Sequence, residues 1–76
     1  MTKVNLPELG EGIKKATISF WYKQTGERVE EKEDLVELST DKAVFNLPAP
    51  SSGKLVNILC KEGDIVDVGQ AIAEIE

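Results

Sequence analysis

An internal repeat is what most limits the folds open to this chain. A shift of 37 positions lays Gly26 on Gly63, Glu27 on Asp64 and Val29 on Val66, and likewise Leu35 on Ile72, Glu37 on Glu74 and Leu38 on Ile75. Upstream, Ala16 meets Gly53, Ile18 meets Leu55 and Trp21 meets Ile58. The shift is close to half of the 76 residues, so the halves 1–39 and 40–76 read as two versions of one unit inside a single small domain.

The repeated unit is built of strands. Leu35-Val36-Glu37-Leu38 and Val44-Phe45-Asn46-Leu47 carry apolar residues two apart, the period of a half-buried strand. Thr17–Lys23, with Ile18, Phe20, Trp21 and Tyr22, is rich in β-forming side chains. Val4 with Leu6, Val29, Leu55–Cys60, Val66 and Ala71–Ile75 supply further short apolar clusters, and no window has helical periodicity. The anchors Ile18/Trp21 and Leu55/Ile58 are three apart, which would send them to opposite faces of a regular strand. The reading therefore predicts a bulge or sharp coil at equivalent places in both halves. Two such units, each with one apolar face, pack as an all-β two-sheet sandwich or flattened barrel with an internal pseudo-two-fold axis.

Composition narrows the chemistry. There is no histidine and only one cysteine, Cys60, which excludes the usual serine or cysteine triads, an imidazole base, an intrachain disulfide and a His-bearing zinc site. A net charge of −5 with no basic run has the wrong sign for a nucleic-acid binder. Apolar stretches of a few residues do not span a membrane, and Met-Thr-Lys-Val-Asn is not a secretory signal. The acidic run Glu30-Glu31-Lys32-Glu33-Asp34 lacks a turn glycine or a second convergent cluster; it reads as a solvated edge, and no metal is expected. Cys60 reads as a buried, inert thiol beside Ile58, and Trp21 and Phe20 as core or partly covered surface.

Between the halves lies Ser39-Thr40-Asp41-Lys42-Ala43-Val44. Strand-like segments flank it closely, so the link is a tight hairpin with Asp41 and Lys42 at its tip. Asp41 is the natural turn former there, through its carboxylate on nearby amides. Lys42 projects into water from a rigid protrusion.

With that centre in view, the chain resembles a lipoyl domain from the acyltransferase component of a 2-oxo acid dehydrogenase complex. The resemblance runs through Leu6-Pro7-Glu8-Leu9-Gly10-Glu11-Gly12-Ile13, Trp21 and Gly26, then Thr40-Asp41-Lys42-Ala43, and on through Ala49-Pro50, Gly53, Gly63-Asp64 and Val68-Gly69. It implies two four-stranded antiparallel sheets forming a flattened barrel, and lipoic acid in amide linkage on Lys42, with Asp41 and Ala43 read by the lipoate-attaching enzyme. It implies a non-catalytic swinging-arm carrier. An acyl group comes from a thiamine-diphosphate 2-oxo acid decarboxylase and leaves to coenzyme A at an acyltransferase core joined by a linker. Dihydrolipoamide dehydrogenase, a flavoprotein, then reoxidises the carrier. The Leu9–Lys15 loop is expected beside the hairpin, with exposed Glu11 and Ile13 helping the decarboxylase choose its carrier. The opening motif is closer to pyruvate-type and branched-chain-type carriers than to 2-oxoglutarate ones. The sequence departs from the family pattern at Ser39, commonly glutamate, at Lys23, often valine, and at Phe45-Asn46.

The carrier is expected to be monomeric, in a bacterial or archaeal cytoplasm or a mitochondrial matrix, either excised from a longer acyltransferase or free-standing. A biotinyl carrier is the nearest alternative, but biotin carriers favour methionine on both sides of the lysine, where this chain has Asp41 and Ala43. An unmodified barrel-sandwich structural module is the other, and the exposed Asp-Lys-Ala tip argues against it.

Overall fold

The computed structural model describes residues 1–76, with eight strands and no helix: β1 (Thr2–Asn5), β2 (Lys15–Trp21), β3 (Arg28–Val29), β4 (Asp34–Ser39), β5 (Val44–Pro48), β6 (Gly53–Ile58), β7 (Ile65–Asp67) and β8 (Ala71–Ile75). They form two four-stranded antiparallel sheets, ordered β1-β8-β6-β3 and β5-β4-β2-β7. No ladder joins one sheet to the other, so the architecture is an open sandwich and not a closed barrel. Replacing each strand of one order by its counterpart in the other half gives the second order, which is the expected pseudo-two-fold relation.

Backbone hydrogen bonds repeat at the same offset. Gly26 N donates to Leu55 O and Gly63 N to Ile18 O, both at 2.7 Å, so each half reaches into the other reciprocally. The turn before β3 is closed by Gln24 N on Glu27 Oε1, and the turn before β7 by Lys61 N on Asp64 Oδ2. Gly26 and Gly63 have φ of 97° and 95°, a region that side chains with a Cβ avoid, which is why glycine holds both places. The predicted bulges are present at matching positions: register slips between Ile18 and Phe20 in the β2–β4 ladder, and between Leu55 and Asn57 in the β6–β8 ladder. Each slip lets the anchors on either side of it return to one face.

The core is one cluster of 16 buried apolar residues, among them Val4, Ile18, Trp21, Leu35, Leu38, Leu55, Val66, Ile72 and Ile75, with no buried polar or charged residue. Truncating one of the larger members to alanine would cost about 2–5 kcal/mol. Trp21 belongs to this core, whereas Phe20 is half exposed and meets Tyr22 edge-on at 5.2 Å. Cys60 is buried as expected, although β6 ends at Ile58 and the thiol sits in the connection beyond it. Burial pushes that thiol's pKa up, Asp64 adds to the shift, and a hydrogen bond from Gln70 opposes it.

The acidic run lies exposed between β3 and β4 and is used locally. Glu33 Oε1 accepts from Glu30 N, which holds the Glu33 carboxyl below its usual range, and Lys23 pairs with it at 3.4 Å. Glu30 accepts from Arg28 and Ser52.

The halves differ in one place. Leu6 and Ala49 play the same part, each donating to the turn ahead of β8 or β4 (Leu6 N to Gln70 O, Ala49 N to Glu33 O). Ten positions separate Leu6 from Ala16, but only four separate Ala49 from Gly53. The six surplus residues make the β1–β2 connection the one long loop of the sandwich.

Candidate functional site

The site grows from the β4–β5 hairpin. Ser39 and Val44 are the last paired residues, leaving Thr40-Asp41-Lys42-Ala43 as the turn. Thr40 N donates to Ala43 O at 2.8 Å, and the Thr40 hydroxyl does three further things. It donates to Ala43 O at 2.9 Å, and accepts from Lys42 N at 3.2 Å and Ala43 N at 3.0 Å. That uses the donor and both acceptor positions of one hydroxyl. The turn is therefore clamped by Thr40, and the expectation that Asp41 would do so is corrected: the Asp41 carboxylate accepts no hydrogen bond. The reason is spacing, because a short hydroxyl two and three residues ahead of two amides reaches both.

Asp41, Lys42 and Ala43 are all exposed, and Lys42 has no ion-pair partner within 4.0 Å. The amine is thus presented on a turn whose backbone is fixed beneath it. It lies on the side of the long loop: a Cβ built on Gly12 would be 3.5 Å from Lys42 Nζ. The loop does lie beside the hairpin, as expected; Ile13 N on Gly10 O closes a turn within it, and Val68 N on Lys14 O ties its end to the β7–β8 connection.

Loop and hairpin enclose an open groove of about 610 Å³ that takes in Gly12–Thr17, Ser39–Asp41 and Ile65. Ile13 borders it and is half-buried, not exposed as expected from the sequence, because the apolar chain folds back over Gly10. Glu11 is exposed and lines a second, smaller depression with Glu8 and Val68, which Ile13 also borders. The two loop residues singled out from sequence thus share that depression, and Ile13 alone also borders the groove. Ile65 and the Thr40 hydroxyl were not foreseen. The spacing of Thr40 to the Lys42 and Ala43 amides was a usable signal, whereas Ile65 reaches the groove only through long-range pairing of β7 with β2.

The site is thus a clamped turn holding the Lys42 amine in solvent at the join of two related β-halves, in a two-sheet domain built to present one side chain from a fixed backbone. The comparisons refine that description. The model of a family described as "Biotin-requiring enzyme" matches residues 2–75. The chain is 49% identical over 74 residues to the dihydrolipoyllysine-residue acetyltransferase component of the pyruvate dehydrogenase complex of Corynebacterium glutamicum, covering 97% of this chain and 11% of that protein. It is 44% identical over 75 residues to the succinyltransferase component of the 2-oxoglutarate dehydrogenase complex of Bartonella vinsonii subsp. berkhoffii, covering 99% and 18%. The chain spans less than a fifth of the length of these relatives. The solved lipoyl domain of the Azotobacter vinelandii 2-oxoglutarate dehydrogenase complex superposes with a TM-score of 0.78 at 31% identity, over 97% of this chain and 94% of that one. A multi-domain long-chain acyl-CoA carboxylase, at 19% identity and a TM-score of 0.79, shares the fold alone.

The chain belongs to this family and, within it, to the lipoyl domains of 2-oxo acid dehydrogenase acyltransferases. Lipoyl domains are non-catalytic carriers that hold lipoic acid covalently on a lysine. An exposed amine free of any ion pair, above a fixed turn, fits that group.

Proposed function

We propose that Lys42 is the lipoyl-attachment residue and that this domain carries acyl groups within a 2-oxo acid dehydrogenase complex. The observation that carries the reading is the Lys42 amine held out on the Thr40-clamped turn of a lipoyl domain. A fixed turn gives the attaching enzyme one position at which to find Nζ. Asp41 and Ala43, exposed on either side, are the groups it would read. Bound there, lipoic acid supplies a redox-active pair of sulfurs able to carry an acyl group. Amide formation removes one positive charge from the chain.

The partners follow from the relatives' complexes: a thiamine-diphosphate decarboxylase, dihydrolipoamide dehydrogenase, a lipoate-attaching enzyme, and an acyltransferase core reached through a linker. A tether of that kind gives millimolar effective concentrations, so weak contacts by Glu11 and Ile13 suffice for choosing the decarboxylase. The setting is a bacterial or archaeal cytoplasm or a mitochondrial matrix. Relatives of both the acetyltransferase and the succinyltransferase kind lie close, so the lean towards pyruvate drawn from the opening motif rests on that motif alone.

Expression with a lipoate-attaching enzyme, followed by intact mass, tests the assignment. One lipoyl group is expected on the wild-type chain and none on Lys42→Arg. A biotin adduct in cells that supply both ligases, or a lipoyl group that persists in the variant, would overturn it.

A further inference from the structure

The groove beside Lys42 is more than attachment to an exposed amine requires. At the hairpin end of the β5-β4-β2-β7 sheet, Val44 pairs with Ser39, Ser39 with Thr17, and Thr17 with Ile65. Directly paired residues point to one side, so these four form a row across the outer face of the sheet. Ile65, at its far end, is 64% exposed. Ile13 borders the same space from the loop, Ala16 lies beneath it with its side chain in the core, and the stems of Lys14 and Lys15 edge it with Asp41 as the one carboxylate. The row from Ser39 to Ile65 crosses two strand spacings, about 10 Å. The volume falls within the range of small-ligand sites.

We propose that this groove is the resting place of the domain's own prosthetic arm, with its aliphatic chain and ring lying across Thr17 between Ile13 and Ile65. The proposal rests on Lys42 being the attachment residue. What selects this occupant is continuity: Nζ already lies against Gly12, which is part of the groove wall, so anything joined to Nζ starts at the groove's mouth. The tether supplies an effective concentration in the millimolar range, so a contact of only millimolar strength holds the arm about half the time. The arm then divides its time between a sheltered state on its own domain and an extended state open to partner active sites.

The test uses the 76-residue chain, unmodified and lipoylated, with occupancy of Lys42 fixed first by mass. Isoleucine methyl NMR should show Ile13 and Ile65 shifting on modification and giving cross-peaks to the arm's methylenes, while the buried Ile18 and Ile72 stay in place as internal controls. The ring should be reduced by a water-soluble phosphine at about half the rate of free lipoamide, and Ile65→Asp, a change at an exposed position, should restore the free rate. Full modification with unmoved Ile13 and Ile65 methyls and reduction at the free rate would overturn the proposal and leave the attachment assignment intact. A chain that takes up no lipoyl group, or takes it on another lysine, would overturn the attachment assignment instead.

Discussion

Thr40 shows how much one hydroxyl settles. Its three contacts replace the amide partners that a four-residue turn would otherwise seek in water, and they do so at the base of Lys42. Thr40→Val should lower stability by about 1 kcal/mol, as a net loss of hydrogen bonding, and slow lipoyl attachment several-fold because the turn samples other shapes. Thr40→Ser keeps the hydroxyl and should restore attachment, read by the rate of mass gain against the midpoint of urea unfolding. A valine variant modified at the wild-type rate would show that the clamp has no part in presentation. Lys32 offers a second residue-scale test. It has φ of 72°, and its counterpart 37 positions on is Gly69 at 91°. The surrounding bonds match: Lys32 N reaches Ala49 O and Gly69 N reaches Leu6 O. A lysine in this region is strained, whereas glycine enters it freely but loses more entropy on folding. Lys32→Gly should therefore be neutral or stabilising by up to about 1 kcal/mol, and Gly69→Lys destabilising by a similar amount, both measured by chemical denaturation.

At the scale of elements, the eight strands were legible because each short apolar cluster repeats at one offset, and a repeat carries information that no single cluster does. Even the bulges at Ile18/Phe20 and Leu55/Asn57 could be placed, since a three-residue gap between buried anchors has no other solution in a strand. The place of Lys42 on a tight β4–β5 turn was legible for the same reason, since that turn stands at the join of the halves. The choice between the expected sandwich and flattened barrel, the half-burial of Ile13 and the groove wall at Ile65 were not, because each depends on which strand lies beside which, and pairings such as β2 with β7 span most of the chain. The long β1–β2 loop is where the halves part company, and its short counterpart shows what the fold itself needs. There, Ser52 Oγ accepts from Glu31 N, the role that Lys14 O fills for Val68 N in the long loop. Grafting Pro-Ser-Ser in place of residues 7–15 should thus give a folded domain whose urea midpoint stays near that of the parent chain. Shortening the closure from nine residues to three gains about 1 kcal/mol, offset by lost packing of Leu9 on the core. Failure of the graft to fold would mean that the loop supports the sandwich and does not merely serve the hairpin.

Across the whole molecule, the two sheets are tied together where Trp21 meets the β6–β7 connection. Its indole Nε1 donates to Cys60 O at 3.0 Å and its backbone N to Glu62 Oε2 at 3.2 Å, so a β2 residue and a buried thiol from the other half share one joint. With a single core and no buried polar group to divide it, opening that joint should coincide with global unfolding. Trp21 emission, backbone circular dichroism and Cys60 alkylation in urea should then share one midpoint, and the native thiol should react far more slowly than the denatured one. The thiol adds a pH dependence of known sign. Burial, with Asp64 beside it, raises its pKa above the value in the unfolded chain, so the folded state holds the proton longer. The stability this contributes is whole below the unfolded thiol's value of about 8.5 and is lost as pH rises from there through the folded value. Cys60→Ala removes the titrating group while leaving the tryptophan's backbone acceptor in place. The wild-type chain should therefore lose more stability between pH 8 and pH 9.5 (about the window in which an ordinary thiol ionises) than Cys60→Ala does, as read by paired urea titrations at each pH. Parallel losses in the two chains would show that the thiol ionises as readily folded as unfolded, and that the joint is open to water.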